Sequence, residues 1–230
     1  MTALEGMPVF GSWSGGKDST LALYEASLAG AEPRLLLTMM TEDSTRSRSH
    51  GLRREVLQAQ ADALGLPIRF GSASWSGYTA EFERLVAHAG SLGISDGVFG
   101  DIDLEDHRTW VETVCRTANA RAHLPLWKRE RTAVVEQVRA AGFRAVIVAV
   151  QDGVLPAELL GRVLDEDTVD VIRRAGADPA GEHGEYHTVV VDGPLFTRPV
   201  AVTPGETVLR DGVWFLDLAL AQDPRPVTAG

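Results

Sequence analysis

The run Trp13-Ser14-Gly15-Gly16-Lys17-Asp18-Ser19 follows an apolar stretch, Met7-Pro8-Val9-Phe10, and opens a helix-like stretch from Thr20 to Ala26. Strand, glycine turn and helix is an arrangement that cradles phosphate. Two glycines let backbone N–H groups turn toward an anion with no side chain in the way. The helix N-terminus adds a partial positive charge, and Lys17 adds a full one. From Gly11 the chain reads G-S-W-S-G-G-K, which fits GxxxxGK. That pattern requires Ser or Thr next, to hold Mg²⁺, and Asp18 stands there instead. A Gly-Gly turn capped by Asp or Ser would explain the glycines alone. It explains less well why Ser14, Gly15, Gly16, Asp18 and Ser19 all follow a strand.

Two further clusters carry chemistry. Gly100-Asp101-Ile102-Asp103 closes an apolar run and leads into Leu104-Glu105-Asp106-His107-Arg108. A carboxylate at the end of a parallel strand points into the crevice where ligands bind. Arg108 and Glu112 are spaced to pair on a helix, and a Gly-Asp turn followed by a capped, charged helix is the equal alternative. Glu182-His183-Gly184-Glu185-Tyr186-His187-Thr188 places two acids, two histidines, a tyrosine and a threonine in a glycine-rich loop. These groups could orient an amine, bind Mg²⁺ or act as a general base; the alternative is a polar surface loop. If a strand begins at Tyr186, Glu185 and His187 share one face. His88 and His123 read as packing or surface residues and Cys115 as a small buried hydrophobe. Trp75 and Trp110 lie near the expected crevice, with packing the simpler role.

Elements that could position these groups alternate along the chain. Strands are expected at Pro8–Trp13, Arg34–Met40, Pro67–Ala73, Gly97–Ile102, His123–Leu126 and Ala145–Val150. Helices are expected near Ser19–Leu28, Leu52–Leu64, Tyr78–Leu92, Glu105–Asn119 and Thr132–Ala141; in Leu52–Leu64, Leu52, Val56, Ala59, Ala63 and Leu64 recur at three- to four-residue spacing. Gly30, Gly65, Gly93 and Gly142 follow helices as C′ glycines do. Leu35–Leu37 and Val146–Val150 are apolar on both faces, as parallel strands covered by helices are. The pattern predicts an α/β fold with a doubly wound parallel sheet over residues 1–150 and the glycine loop at the strands' carboxyl ends. Beyond residue 150 the pattern changes to helical pieces at Pro156–Leu164 and Glu166–Ala175. Short extended runs follow at His187–Val191, Glu206–Arg210 and Val213–Leu218, the last two joined by an Asp211-Gly212 turn. This predicts a small C-terminal α+β region over 151–222 and a frayed polar tail at 223–230.

The 230 residues carry a net charge of −10 and a single cysteine. One cysteine excludes a disulfide framework or cysteine-rich metal site within the chain. The acidity argues against bulk binding of DNA or RNA, although Arg46–Arg54 forms a local basic run. No signal peptide and no run near the ~20 residues of a bilayer span is visible, so a cytoplasmic location and no membrane partner are expected. A homodimer is possible.

The run Ser14–Ser19 resembles the SGGxDS signature of PP-loop ATP pyrophosphatases. The set as a whole resembles the diphthine–ammonia ligase branch of that superfamily over roughly residues 8–200. The pieces are Ser14–Ser19, Ser49-His50-Gly51, Gly100–Ile102 with His107-Arg108, Pro125-Leu126-Trp127, and Gly176–Thr188 followed by Asp192–Phe196. Ala180, His183 and His107 depart from the residues common in the family. The resemblance implies a nucleotide α-hydrolase fold and cleavage of ATP to AMP and pyrophosphate. It implies activation of a carboxylate acceptor as an acyl-adenylate, which ammonia converts to an amide. On this reading Ser14, Gly15, Gly16, Lys17 and Ser19 hold phosphates, and Asp18 contacts Mg²⁺. Asp101 and Arg108 face the nucleotide or adenylate, and Glu182, Glu185 and His187 meet the acceptor or ammonia. Two alternatives stand beside it: a nucleotide-sensing module without turnover, and an RNA-modifying PP-loop enzyme, which one cysteine and the net charge oppose.

Overall fold

Alternating side chains along five strands build two apolar layers on the two faces of one sheet. The computed structural model, which describes residues 4–221, begins with β1 (Pro8–Ser12), α1 (Lys17–Leu28), β2 (Glu32–Met40), α2 (Arg54–Leu64) and β3 (Ile68–Ser72). It continues with α3 (Tyr78–Ser91), β4 (Asp96–Val98), α4 (Glu105–Thr117) and β5 (Arg121–His123). Val9 and Leu36 pack with Leu21, Leu23, Val56 and Leu57 of α1 and α2. Their strand neighbours Phe10, Leu35 and Leu37 pack on the opposite face with Phe82 and Leu85 of α3 and Val111 and Val114 of α4. Each fully buried side chain of this size contributes roughly 1.5–3 kcal/mol.

The strands are parallel, in the order β3-β2-β1-β4-β5. This is the doubly wound α/β sheet that the β-α alternation predicts. The order reverses between β1 and β4, so a crevice opens at their carboxyl ends, where ligands bind in this architecture. Gly30, Gly65, Gly93 and Gly142 all have positive φ after their helices. β4 is shorter than expected: it ends at Val98, and Ile102 leaves the sheet to accept a hydrogen bond from the Lys128 N–H at 2.6 Å.

After α5 (Arg131–Ala140) comes β6 (Arg144–Gln151), then a 3₁₀ turn at Ala157–Leu159 and α6 (Glu166–Arg174). β7 (Tyr186–Asp192), β8 (Val202–Arg210) and β9 (Val213–Leu220) complete a four-stranded sheet in the order β7-β6-β9-β8. This corrects the expectation for Val146–Val150. β6 pairs antiparallel with both β7 and β9 and is not a sixth strand of the parallel sheet. The change of sheet therefore falls before Arg144. The helix expected at Pro156–Leu164 is one 3₁₀ turn over Ala157–Leu159, after which Leu160 is extended and Gly161 has φ 82°. The antiparallel C-terminal region and its hairpin are present. Asp211 and Gly212 have φ of 49° and 76°, the two positive values of a type I′ turn. The tail expected at 223–230 lies outside the described residues.

The two sheets share one core. Ile147, Val148, Val150, Val189 and Val190 belong to the same buried cluster as Leu21, Leu23 and Val56. α1 packs against β1 and also against β7, so the first turn of that helix meets the C-terminal sheet.

Candidate active site

β1 must turn sharply into α1, and the glycines make this geometry accessible. Gly15 has φ of 79°, and a Cβ there would lie 2.5 Å from Gln60 Oε1 and 2.9 Å from Leu57 Cδ2. Gln60 is fully buried and ties the loop to three elements. It accepts from Trp13 Nε1 at 3.1 Å and donates to the carbonyls of Gly15 (2.9 Å) and Val190 (2.7 Å). The N–H of Val190 donates to the Gly15 carbonyl at 2.9 Å, and the N–H of Lys17 donates to Thr188 Oγ1 at 3.1 Å. β7 thus holds the glycine loop from the C-terminal side. Ser14 and Ser19 hydroxyls lie 3.1 Å apart across it. Gly100 presses against the first turn of α1, where a Cβ would lie 2.7 Å from Ser19 N.

A cavity of about 610 Å³ opens at this point. Of the sequence-predicted residues, Ser14, Lys17, Asp18, Ser19, Asp101, Glu182 and His187 line it. Gly15 and Gly16 form the turn beneath. Two others are placed elsewhere. Arg108 pairs with Glu112 at 2.7 Å and lies over the Trp127 ring, outside the cavity lining. Glu185 is buried and braces its own loop, accepting from the N–H of Asp178 (3.4 Å) and of His183 (3.0 Å). Trp75 and Trp110 are also absent from the lining. Trp110 Nε1 donates to Thr79 Oγ1 at 3.0 Å.

The electrostatics divide the cavity. Lys17 Nζ lies 2.8 Å from Asp18 Oδ2 and 5.2 Å from the centre of the Tyr186 ring. Burial pulls the Lys17 ammonium down, but the pull of Asp18 and Glu182 helps to outweigh it, so its pKa is held above the ordinary lysine value. Burial, followed by the negative Asp18, pushes the Glu182 carboxyl up to about 7. His50 donates from Nδ1 to the Thr188 carbonyl at 2.7 Å, which leaves Nε2 with its lone pair. Its ring centre is 4.7 Å from that of His187. Burial lowers the pKa of both, His187 the further, so both imidazoles are neutral at pH 7. His107 lies 3.3 Å from Asp101, and that hydrogen bond raises its pKa.

The loop carrying Glu182 is fixed by a guanidinium. Arg131 grips Asp103 with two bonds of 2.8 Å, reaches Asp178 at 2.6 Å and lies 3.0 Å from His183. Asp178 in turn accepts from the N–H groups of Ala180 and Glu182. Tyr186 closes the loop by donating to the Pro179 carbonyl at 2.6 Å. Gln60 and Arg131 are structural parts of this site that sequence reasoning did not single out, and Asp178 and Thr188 stood inside longer motifs without individual roles. His50 and Tyr186 were visible within longer motifs without individual roles.

A divalent cation fits one position. Asp18 Oδ1 is buried and has no hydrogen-bond partner in the protein, beside a glycine loop suited to phosphate. Among the described residues no group of three or more His, Cys, Asp or Glu side chains is placed to hold a metal. A single carboxylate can contribute to holding a cation that takes its other ligands from substrate phosphates. No described helix is long and apolar enough to cross a membrane.

The chain is similar in sequence to curated proteins from several organisms. The diphthine–ammonia ligase of Danio rerio is 26% identical over 228 residues, covering 89% of this chain and 89% of that protein. The ligase of the same name from Homo sapiens is 30% identical over 132 residues, covering 55% of this chain and 48% of that one. The one from Schizosaccharomyces pombe is 26% identical over 227 residues, 88% of this chain but 37% of its own length. The family model of the diphthamide synthase N-terminal domain matches residues 7–122, and that of the C-terminal domain matches residues 130–222. The first span carries the glycine loop and the second carries Glu182, so the chain belongs to the diphthamide synthase family across both halves of its site.

Proposed function

We propose that this chain is an ATP-dependent, AMP-forming ligase that joins ammonia to a carboxylate acceptor. The observation that carries the reading is the unpartnered, buried Asp18 oxygen beside Lys17 at the glycine loop, in the same cavity as Glu182. Relatives named diphthine–ammonia ligase support it.

In this reading the turn of Ser14, Gly15, Gly16 and Ser19 receives the β- and γ-phosphates against the N-terminus of α1. Lys17 offsets their charge. Mg²⁺, when bound, would be held by Asp18 with phosphate oxygens and would neutralise further charge on the leaving pyrophosphate. A carboxylate oxygen of the acceptor attacks the α-phosphorus, the α–β bond breaks, and pyrophosphate leaves. This converts a poor electrophile into an acyl-adenylate. Ammonia then attacks the acyl carbon, AMP departs, and the proton released by nitrogen passes to Glu182. A carboxyl held near pH 7 is matched to that transfer. Neutral His187 accepts a hydrogen bond from the incoming ammonia, Asp101 with His107 faces the adenylate, and Glu185 and Arg108 act through the loop and helix they brace. The reaction requires no membrane and suits a cytoplasmic enzyme.

The test is incubation with α-phosphate-labelled ATP, Mg²⁺, ammonium and a panel of carboxylates. The expected result is labelled AMP whose formation depends on one class of carboxylate. Labelled ADP as the sole product would contradict the reading.

A further inference from the structure

The proposed reaction brings two anions into one cavity, a triphosphate and a carboxylate. Among the described residues, two permanently charged cations line that cavity, Lys17 and Arg48. Lys17 is buried against Asp18 at the glycine loop. Arg48 lies beyond β2, with its guanidinium 4.4 Å from the centre of the Trp75 ring and Nη2 donating to the Ala73 carbonyl after β3. It forms no salt bridge with a described carboxylate, and its Nε is buried without an acceptor. A guanidinium held from behind by an indole and one carbonyl, with a buried N–H unused, is arranged to receive a planar oxyanion in a two-bond grip.

The surroundings give that oxyanion a carrier. Trp75 is 73% exposed, and its ring centre lies 5.9 Å from that of Tyr78, a cavity-lining residue stacked on Phe82. These rings form an apolar wall beside the guanidinium. Burial raises the Tyr78 hydroxyl, with Arg48 and Asp101 acting on it as opposing charges, whereas Lys17 responds to Asp18 and Glu182. Arg48 stands against Trp75, whose ring neighbours Tyr78, whereas Lys17 stands against Asp18 and the Tyr186 ring at the glycine loop.

We infer that Arg48, backed by Trp75 and Tyr78, is the subsite for the acceptor's carboxylate, and that the acceptor carries this carboxylate on an apolar group. The inference rests on the ligase reading above. Arg48 donates one bond to each carboxylate oxygen, and each oxygen keeps a second lone pair with which one of them attacks the α-phosphorus.

Benzoate and its neutral isostere benzamide are suitable probes. They are titrated calorimetrically into the full chain saturated with Mg²⁺ and α,β-methylene-ATP, which cannot be cleaved at the α–β bond. Benzoate should bind the wild type and benzamide should not. Arg48→Gln should weaken benzoate by roughly 10- to 100-fold, the size of a lost charge-assisted pair, and Arg48→Lys should recover part of it. Affinity for the nucleotide should stay within about twofold in both variants, because the phosphate end relies on Lys17. A loss of nucleotide affinity in Arg48→Gln would assign the guanidinium to the phosphates and overturn the inference. So would equal binding of benzoate to both proteins, or none to the wild type. The AMP-release assay separates this from the ligase reading. Carboxylate-dependent AMP with an unchanged carboxylate KM in Arg48→Gln removes the subsite and leaves the ligase. Absence of carboxylate-dependent AMP removes the ligase, and the benzoate titration still decides whether Arg48 binds an oxyanion.

Discussion

Gly100→Ala is a small change whose effect can be worked from the contacts. The added methyl would stand 2.7 Å from the carbonyl carbon of Asp18 and from the amide nitrogen of Ser19, and 2.9 Å from the Asp18 oxygen. All three are backbone atoms of the first turn of α1, so no rotamer change makes room. Ordinary contact starts near 3.4 Å, so the end of β4 and the glycine loop must separate by roughly 0.7 Å. Overpacking of this kind costs about 1–3 kcal/mol, which lowers Tm by about 2–4 °C per kcal/mol in a chain of this size. A shift approaching 1 Å at Asp18 should cut AMP release by on the order of 10- to 100-fold. The assay is steady-state AMP release beside a thermal melt. Ile172→Val serves as the control, because Ile172 is fully buried in α6 outside the cavity lining and the change costs about 0.5–1.5 kcal/mol. Wild-type turnover in Gly100→Ala would refute the argument. So would an equal loss of activity in Ile172→Val, since stability alone would then explain it.

Four other outcomes follow from the same structure. At a fixed concentration of free ammonia, Glu182→Gln should remove the ascending limb of the pH–rate profile, which in the wild type should rise through about pH 7 as the carboxyl ionises; a limb that persists in the variant under that condition would assign the base elsewhere. The folded carboxyl is raised from 4.5 to about 7 and so holds its proton more tightly than the unfolded chain, which means wild-type stability falls across that window as pH rises. Chemical denaturation should therefore show Glu182→Gln gaining on the wild type between pH 5 and pH 8, and the opposite trend would refute the burial argument. Asp217 is held well below its ordinary 3.8 by hydrogen bonds from Arg53 and then Arg46, clamping β9 to the segment before α2. Its contribution is present above the unfolded pKa and lost as pH falls through the folded one, so the Tm deficit of Asp217→Asn should be full at pH 7 and shrink in strong acid; a deficit that does not change with pH would mean packing, not charge, is at work. Burial pushes the Cys115 thiol up to about 12, so Ellman's reagent should react slowly with the native protein and fully after denaturation, and prompt native reaction would show an open α4 packing face.

The parallel sheet could be read from the chain because its signals are local. Turn glycines such as Gly65, and apolar residues recurring along α2, mark elements without reference to distant partners. β6 misled for a physical reason. Val146–Val150 is apolar on both faces because it is covered on both faces, and burial does not encode the direction of the neighbouring strands. The glycine loop was readable because Gly15 is demanded by its positive φ and Gly16 by the close approach of the His50 ring. What holds that loop was not. Gln60 looks like one more polar helical residue, and Thr188 like one more strand residue, until the fold sets β7 beside Gly15. Glu182 and Glu185 were equivalent acids in sequence. Only the hydrogen bonds of the 178–186 loop turn one into the cavity and the other into the loop's own brace. Arg108 was correctly spaced for Glu112, and that pairing is what directs it away from the cavity.

The adenylation step is tested most directly by following one oxygen atom. The carboxylate that supports turnover is labelled with heavy oxygen in both carboxyl positions, and the AMP released in the presence of ATP, Mg²⁺ and ammonium is analysed by mass spectrometry. Attack of the carboxylate on the α-phosphorus leaves one labelled oxygen in AMP and the other in the amide. AMP without label, or label retained entirely in the amide and residual acid, would contradict the account.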